Sequence, residues 1–122
     1  MSPLRILAGK KARAHLAQHG LQAADIRAIP AAAGGPKGLL LNALDQYLFG
    51  DWLAQPAVAN PAQKPIHLVG ASIGAWRMAC AASAKPAQAL RELARLYVED
   101  QRYTRKATRS DIDAVCQRIL QQ

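Results

Sequence analysis

The pentapeptide Gly70-Ala71-Ser72-Ile73-Gly74 constrains this chain more than any other stretch. It follows the apolar run Ile66-His67-Leu68-Val69 and precedes a segment rich in alanine up to about Ser83, so it reads as strand, tight turn and helix. The spacing fits the G-x-S-x-G pattern of a nucleophile elbow. A serine at the tip of such a turn projects its hydroxyl clear of the sheet, while the chain on either side passes very close to itself. Only residues without a Cβ tolerate that approach, which accounts for Gly70 and Gly74, with the small Ala71 and Ala75 beside them. The helix that follows directs free N–H groups and the positive end of its dipole at the turn, where an oxyanion would form.

A second loop precedes the elbow. Asp25-Ile26-Arg27-Ala28-Ile29-Pro30 reads as a strand that ends near the proline, because proline cannot donate to a ladder. A glycine-rich loop at about residues 32–38 leads from it into a helix ending near Leu53, with Leu41, Leu44, Leu48 and Trp52 as its buried stripe. Pro36 suits the first helical position, and the loop then presents backbone N–H groups at a helix N-terminus. Taken alone the loop could cradle a phosphate, but it fails both nucleotide motifs: Lys37 is followed by Gly38 and Leu39 instead of Ser or Thr, and Ala33 occupies the first glycine position of a dinucleotide fingerprint. Both loops follow apolar strands, so in a parallel sheet both lie at its C-terminal edge, with the Gly34 and Gly35 N–H groups near the Ser72 hydroxyl. Pro36 has no N–H to add.

The expected class is α/β, a parallel sheet with flanking helices in one domain of 122 residues. A helix is expected from Leu4 to His19, stopped by Gly20, and a loop around Pro56, Pro61 and Pro65. Pro86 starts a helix through Ala89, Leu90, Leu93, Leu96 and Tyr97, and Ser110 or Asp111 starts a last one ending at Leu120.

A nucleophilic serine needs a base. No histidine follows Ser72, which rules out the acid-then-histidine order of an α/β-hydrolase triad, and His67 precedes it as a strand residue packed against a helix. The aspartates after Ser72 are Asp100, Asp111 and Asp113, and Asp111 and Asp113 read as helix N-terminal residues. His15 and His19 lie one turn apart without a third ligand, so no metal is expected. Cys80 and Cys116 form no CxxC or metal-spaced pair and read as reduced thiols.

Ala33-Gly34-Gly35-Pro36-Lys37-Gly38, followed by Gly70-Ala71-Ser72-Ile73-Gly74, resembles the patatin-like phospholipase family over roughly residues 25–83. The resemblance implies a three-layer α/β/α domain of which residues 1–122 form the N-terminal portion. It implies that Ser72 is the nucleophile of a Ser–Asp dyad and that Gly34 and Gly35 bind the oxyanion. Lys37 takes the place of the family's arginine, Gly38 matches the closing glycine of its loop, and Gly70 and Gly74 frame the serine. The family's dyad aspartate lies in an Asp-Gly-Gly or Asp-Gly-Ala motif, and no aspartate after Ser72 precedes a glycine. Ala32 and Ala33 stand where the family has Asp and Gly. The activity implied is hydrolysis of lipid or other acyl esters, without a cofactor.

Charge supports an alternative. The formal net charge is +8, and Arg102, Arg105, Lys106 and Arg109 would share one face if helical. A non-catalytic fragment or pseudoenzyme bound to anionic membrane surfaces would use such a face, although a solvated face is the ordinary explanation. No zinc-finger spacing or aromatic-studded strand is present, so nucleic acid is not expected. Without an apolar run near the ~18 residues of a membrane span, and with no charged region leading into an apolar core at Met1–Arg5, the expected location is cytoplasmic, with peripheral membrane contact.

Overall fold

The structure is a computed structural model and describes residues 6–54 and 65–121. Two strands, β1 (Ala28–Ala31) and β2 (His67–Gly70), pair in parallel with Ala28 opposite His67 and Ala31 opposite Gly70. The ladder continues at both ends, where His67 N–H donates to Arg27 O (2.9 Å) and Ala71 N–H to Ala31 O (3.1 Å). The rest of the described chain is mostly helical: α1 (Lys10–His19), α2 (Asn42–Tyr47), α3 (Ile73–Ala81), α4 (Pro86–Glu99) and α5 (Arg109–Leu120). The protein is therefore mixed α/β, with a small parallel sheet and predominantly helix.

Helix α1 starts at Lys10, later than the composition suggests, because Gly9 caps it in an extended conformation; Leu4 and Arg5 lie outside the described residues. It stops where expected, at Gly20 (φ 68°). Asp25 belongs to a short 3₁₀ turn, Ala23–Asp25, where its carboxylate accepts from the Gln22 N–H, and this delays β1 to Ala28. Pro30 lies within β1, whose other edge has no partner among the described residues, so its missing N–H breaks no ladder bond there. Of the prolines assigned to the connecting loop, Pro56 and Pro61 lie outside the described residues.

The segment after the glycine loop is one helical run with three hydrogen-bonding patterns: 3₁₀ over Gly35–Leu41, then α2, then a π turn over Leu48–Trp52. Pro36 takes the second position of this run, not the first, since Gly35 already has helical pairing. The buried stripe also differs from the expected one. Leu41 and Leu44 are 45% and 43% exposed, whereas Asp45 and Phe49 are buried. Leu48 of the expected stripe packs against the core, but the packed face centres on Asn42, Asp45 and Phe49, one residue and hence about 100° around the helix from Leu41 and Leu44. Polar contacts and close packing set this rotation. Asn42 Nδ2 donates to Leu90 O (2.7 Å), Asp45 pairs with Arg77, and a Cβ on Gly50 would lie 2.7 Å from the Ala87 Cβ.

Phe49, Met78, Ala81 and Leu90 form one core cluster, with Ile29, Ala31 and Leu68 of the sheet packed against it. Leu93 and Leu96 of α4 form a second with Val115 and Ile119 of α5. The apolar positions expected on α4 are thus its buried face, and Leu90 is fully buried. Helix α5 begins one residue before Ser110, because Thr108 is the N-cap and closes a capping box with Asp111. Residues 101–108 are not helical, so Arg102, Arg105 and Lys106 lie in a connection and only Arg109 belongs to α5. This corrects the expectation that the four share one helical face. Arg102 instead donates through Nε to Glu99 O (3.0 Å) at the end of α4.

Candidate active site

Ser72 occupies the turn between β2 and α3, and its backbone carries the strain that such a turn demands. With φ 54° and ψ −129° it is the only non-glycine residue at positive φ among the described residues. A conformation of this kind costs on the order of 1–3 kcal/mol and persists only where its surroundings hold it. Those surroundings are short hydrogen bonds: Gly74 N–H to Ala71 O (2.9 Å) closes the turn, and Ala75 N–H to Ser72 O (2.8 Å) starts the helix. The Ser72 side chain makes no cap hydrogen bond, and the residue is exposed.

The two glycines that flank the serine are required sterically. A Cβ on Gly70 would fall 2.4 Å from the carbonyl carbon and oxygen of Gly74, and one on Gly74 would fall 2.2 Å from Ala31 O and 2.8 Å from Ala32 O. The second contact joins the elbow to the start of the glycine loop. A third glycine does the same further along: a Cβ on Gly38 would lie 2.8 Å from Ile73 Cγ2. The two loops therefore leave the same edge of the sheet and pack on each other.

Gly34 caps the 3₁₀ segment and Gly35 opens it at φ 53°. The N–H groups of the first residues of a helix have no intrahelical acceptor, which applies to Gly35 here and to Ile73 at the start of α3. Lys37 N–H donates to Gly34 O (3.3 Å), and Lys37 is exposed at the rim of the loop. An exposed serine hydroxyl next to the free N–H of Ile73 is an arrangement suited to attack on a carbonyl whose oxygen becomes negative.

Several of the described acids are engaged elsewhere. Asp25 lies 3.0 Å from His15 Nε2, and the Gln22 backbone N–H, helped by His15, holds its carboxyl below the usual range. Asp111 accepts from the backbone N–H and Oγ1 of Thr108, which lower its pKa likewise. Asp100 caps the C-terminus of α4, and Asp113 is exposed on α5. No described residue supplies Ser72 with a hydrogen-bonded base. His67 is exposed; it starts β2, roughly 10 Å of extended chain before Gly70. The His15 and His19 rings are 5.0 Å apart between centroids, and no group of three or more potential metal ligands occurs among the described residues. Cys80 and Cys116 are free, and burial pushes the Cys80 thiol up, away from the thiolate.

One buried ion pair escaped sequence reasoning. Arg77, on α3, donates through Nε to Asp45 Oδ2 (2.6 Å) and through Nη2 to Asp45 Oδ1 (2.9 Å), with both side chains buried. The available signal was an arginine within the otherwise small and apolar elbow helix. A cavity of about 260 Å³ between α3, α4 and α5 is lined by Trp76, Cys80, Leu93, Leu96 and Ile119 among others, but not by Ser72. Among the described residues, no helix is long and apolar enough to cross a membrane. Comparison with protein-family models, curated proteins and solved structures returned no match for this chain.

Proposed function

We propose that this chain carries the nucleophile and the oxyanion-binding loop of a serine acyl hydrolase of the patatin-like kind, within a three-layer α/β/α domain. The observation that carries the reading is the backbone of Ser72: a strained, exposed serine (φ 54°, ψ −129°) at a strand-to-helix turn framed by two glycines that admit no Cβ. In this reaction Ser72 Oγ attacks the ester carbonyl carbon and its proton passes to a carboxylate base. The N–H groups of Gly34, Gly35 and Ile73 bind the oxyanion. The tetrahedral intermediate collapses and the alcohol leaves with the proton. Water then releases the acyl group by the same route. The substrate class is a lipid or other acyl ester. Lys37 at the loop rim and the net charge of +8 favour anionic headgroups and peripheral contact with an anionic surface in the cytoplasm.

Among the described residues no base hydrogen-bonds Ser72, so ester turnover by this chain alone should be low. An oxyanion hole without its triad still retains roughly 10³–10⁴-fold acceleration over water, enough for slow stoichiometric attack. Incubation with a fluorophosphonate, read by intact mass and peptide mapping, should modify Ser72 and spare Ser83, which lies just beyond the other end of α3 with its hydroxyl donated to Cys80 O. Absence of adduct at Ser72, or equal modification of Ser83, would refute the reading.

A further inference from the structure

The two halves of the candidate site sit on separate pieces of chain. The oxyanion donors Gly34 and Gly35 open the helical run that contains Asp45, and Ser72 opens the helix that contains Arg77. Between these helices runs the paired fork of Arg77 and Asp45, at 2.6 and 2.9 Å, with side-chain exposures of 7% and 5%. These are the only buried charged residues among those described.

We infer that Asp45 and Arg77 are positioning residues: their two-bond fork sets the rotation and separation of the oxyanion-loop helix relative to the elbow helix. The inference rests on the serine-hydrolase reading. Three observations support it. A single contact fixes a distance, whereas two parallel N–H···O bonds to a planar guanidinium also fix an orientation. Burying two charges is costly enough that an ion pair of this kind contributes little net stability over an apolar pair, so its effect is on geometry more than on stability. Finally, the fork lies on the same two helical elements as the contact of Gly38 with Ile73, where a Cβ would already clash at 2.8 Å. A small rotation of one helix would therefore displace the loop amides relative to Ser72.

The test separates register from folding. The double variant Asp45→Leu/Arg77→Met removes both charges without orphaning either, and Arg77→Lys keeps the charge but loses the fork. Each is compared with the unaltered chain for thermal unfolding, for amide hydrogen exchange at Gly38 and at Ala75, whose N–H donates to Ser72 O, and for the rate of fluorophosphonate attachment to Ser72 well below the transition. The expected result is folded protein in which attachment slows about ten- to a hundredfold in the double variant, the scale of a ~1 Å misplacement. Arg77→Lys should fall between, with faster exchange at Gly38 and Ala75 in both. A purely structural pair would lower the unfolding temperature and leave the attachment rate of folded protein unchanged, which would overturn the inference. Unfolding of both variants would overturn it as well, since the pair would then be a condition of folding. Failure of the unaltered chain to react at Ser72 is a separate outcome: the serine reading itself falls, and the positioning role with it.

Discussion

Gly74→Ala tests whether the elbow is held by the contact with the glycine loop. In an ordinary helix interior, alanine in place of glycine stabilises by about 1 kcal/mol. At this site the new Cβ would meet Ala31 O at 2.2 Å, Ala31 C at 2.7 Å and Ala32 O at 2.8 Å. All three are backbone atoms, and Ala31 is fixed in the ladder opposite Gly70, so no side chain can rotate away. Reaching ordinary contact at 3.4 Å requires α3 to move from β1 by about 1 Å. Overpacking of this kind costs about 1–3 kcal/mol, occasionally more. Set against the gain in helix propensity and weighted to the upper end because the obstacle is backbone, the net loss is about 2 kcal/mol. For a domain of this size that corresponds to a fall of roughly 8 °C in unfolding temperature, measured by circular dichroism. Gly9→Ala is the control, because a Cβ there meets nothing within 4 Å. The fluorophosphonate adduct at Ser72 should also form more slowly, since the same shift moves the serine from the loop amides. If Gly74→Ala melts at or above the unaltered chain, the close approach of α3 to β1 is wrong, and with it the juxtaposition of the two loops.

Leu90 is fully buried in the cluster with Phe49, Met78 and Ala81, so Leu90→Ala should cost about 2–5 kcal/mol in urea unfolding with little change in m-value; a loss below 1 kcal/mol would contradict that packing. Asp111 has a pKa lowered below its ordinary 3.8, first by the Thr108 backbone N–H and then by the Thr108 hydroxyl. A carboxyl depressed in the folded state contributes stability that is present above its ordinary pKa and is lost as pH falls through the lower folded value. Asp111→Asn should therefore flatten part of the decline in unfolding temperature as pH falls below the ordinary carboxyl range, and an unchanged acid limb would refute the capping role.

The elbow, the order of elements and the proline-started α4 are legible in the sequence because they are local. Gly-x-Ser-x-Gly after an apolar run leaves few backbone solutions, and Pro86 followed by Leu90, Leu93 and Leu96 declares both a helix start and its buried face. The glycine loop is legible for the same reason, as small residues with a proline at the mouth of a helix. What the tertiary structure decided involves partners distant in the chain. Asp45 and Arg77 are 32 residues apart, and neither shows by its own neighbours that it will be buried. Their pairing, with Asn42 reaching Leu90 O and Gly50 against Ala87, turned the helix after the glycine loop by one residue, away from the face that Leu41 and Leu44 marked. The basic cluster at 102–109 illustrates the converse. Its spacing implied a helical face, but Thr108 caps a new helix at that point, and a local hydrogen bond outweighed a periodicity that charge alone could not enforce. Sequence thus determined where the serine turn forms, because steric exclusion at Gly70 and Gly74 acts within a few residues. Only the packed structure determined what holds the glycine loop beside it, because burial and ion pairing depend on which helices come to face each other.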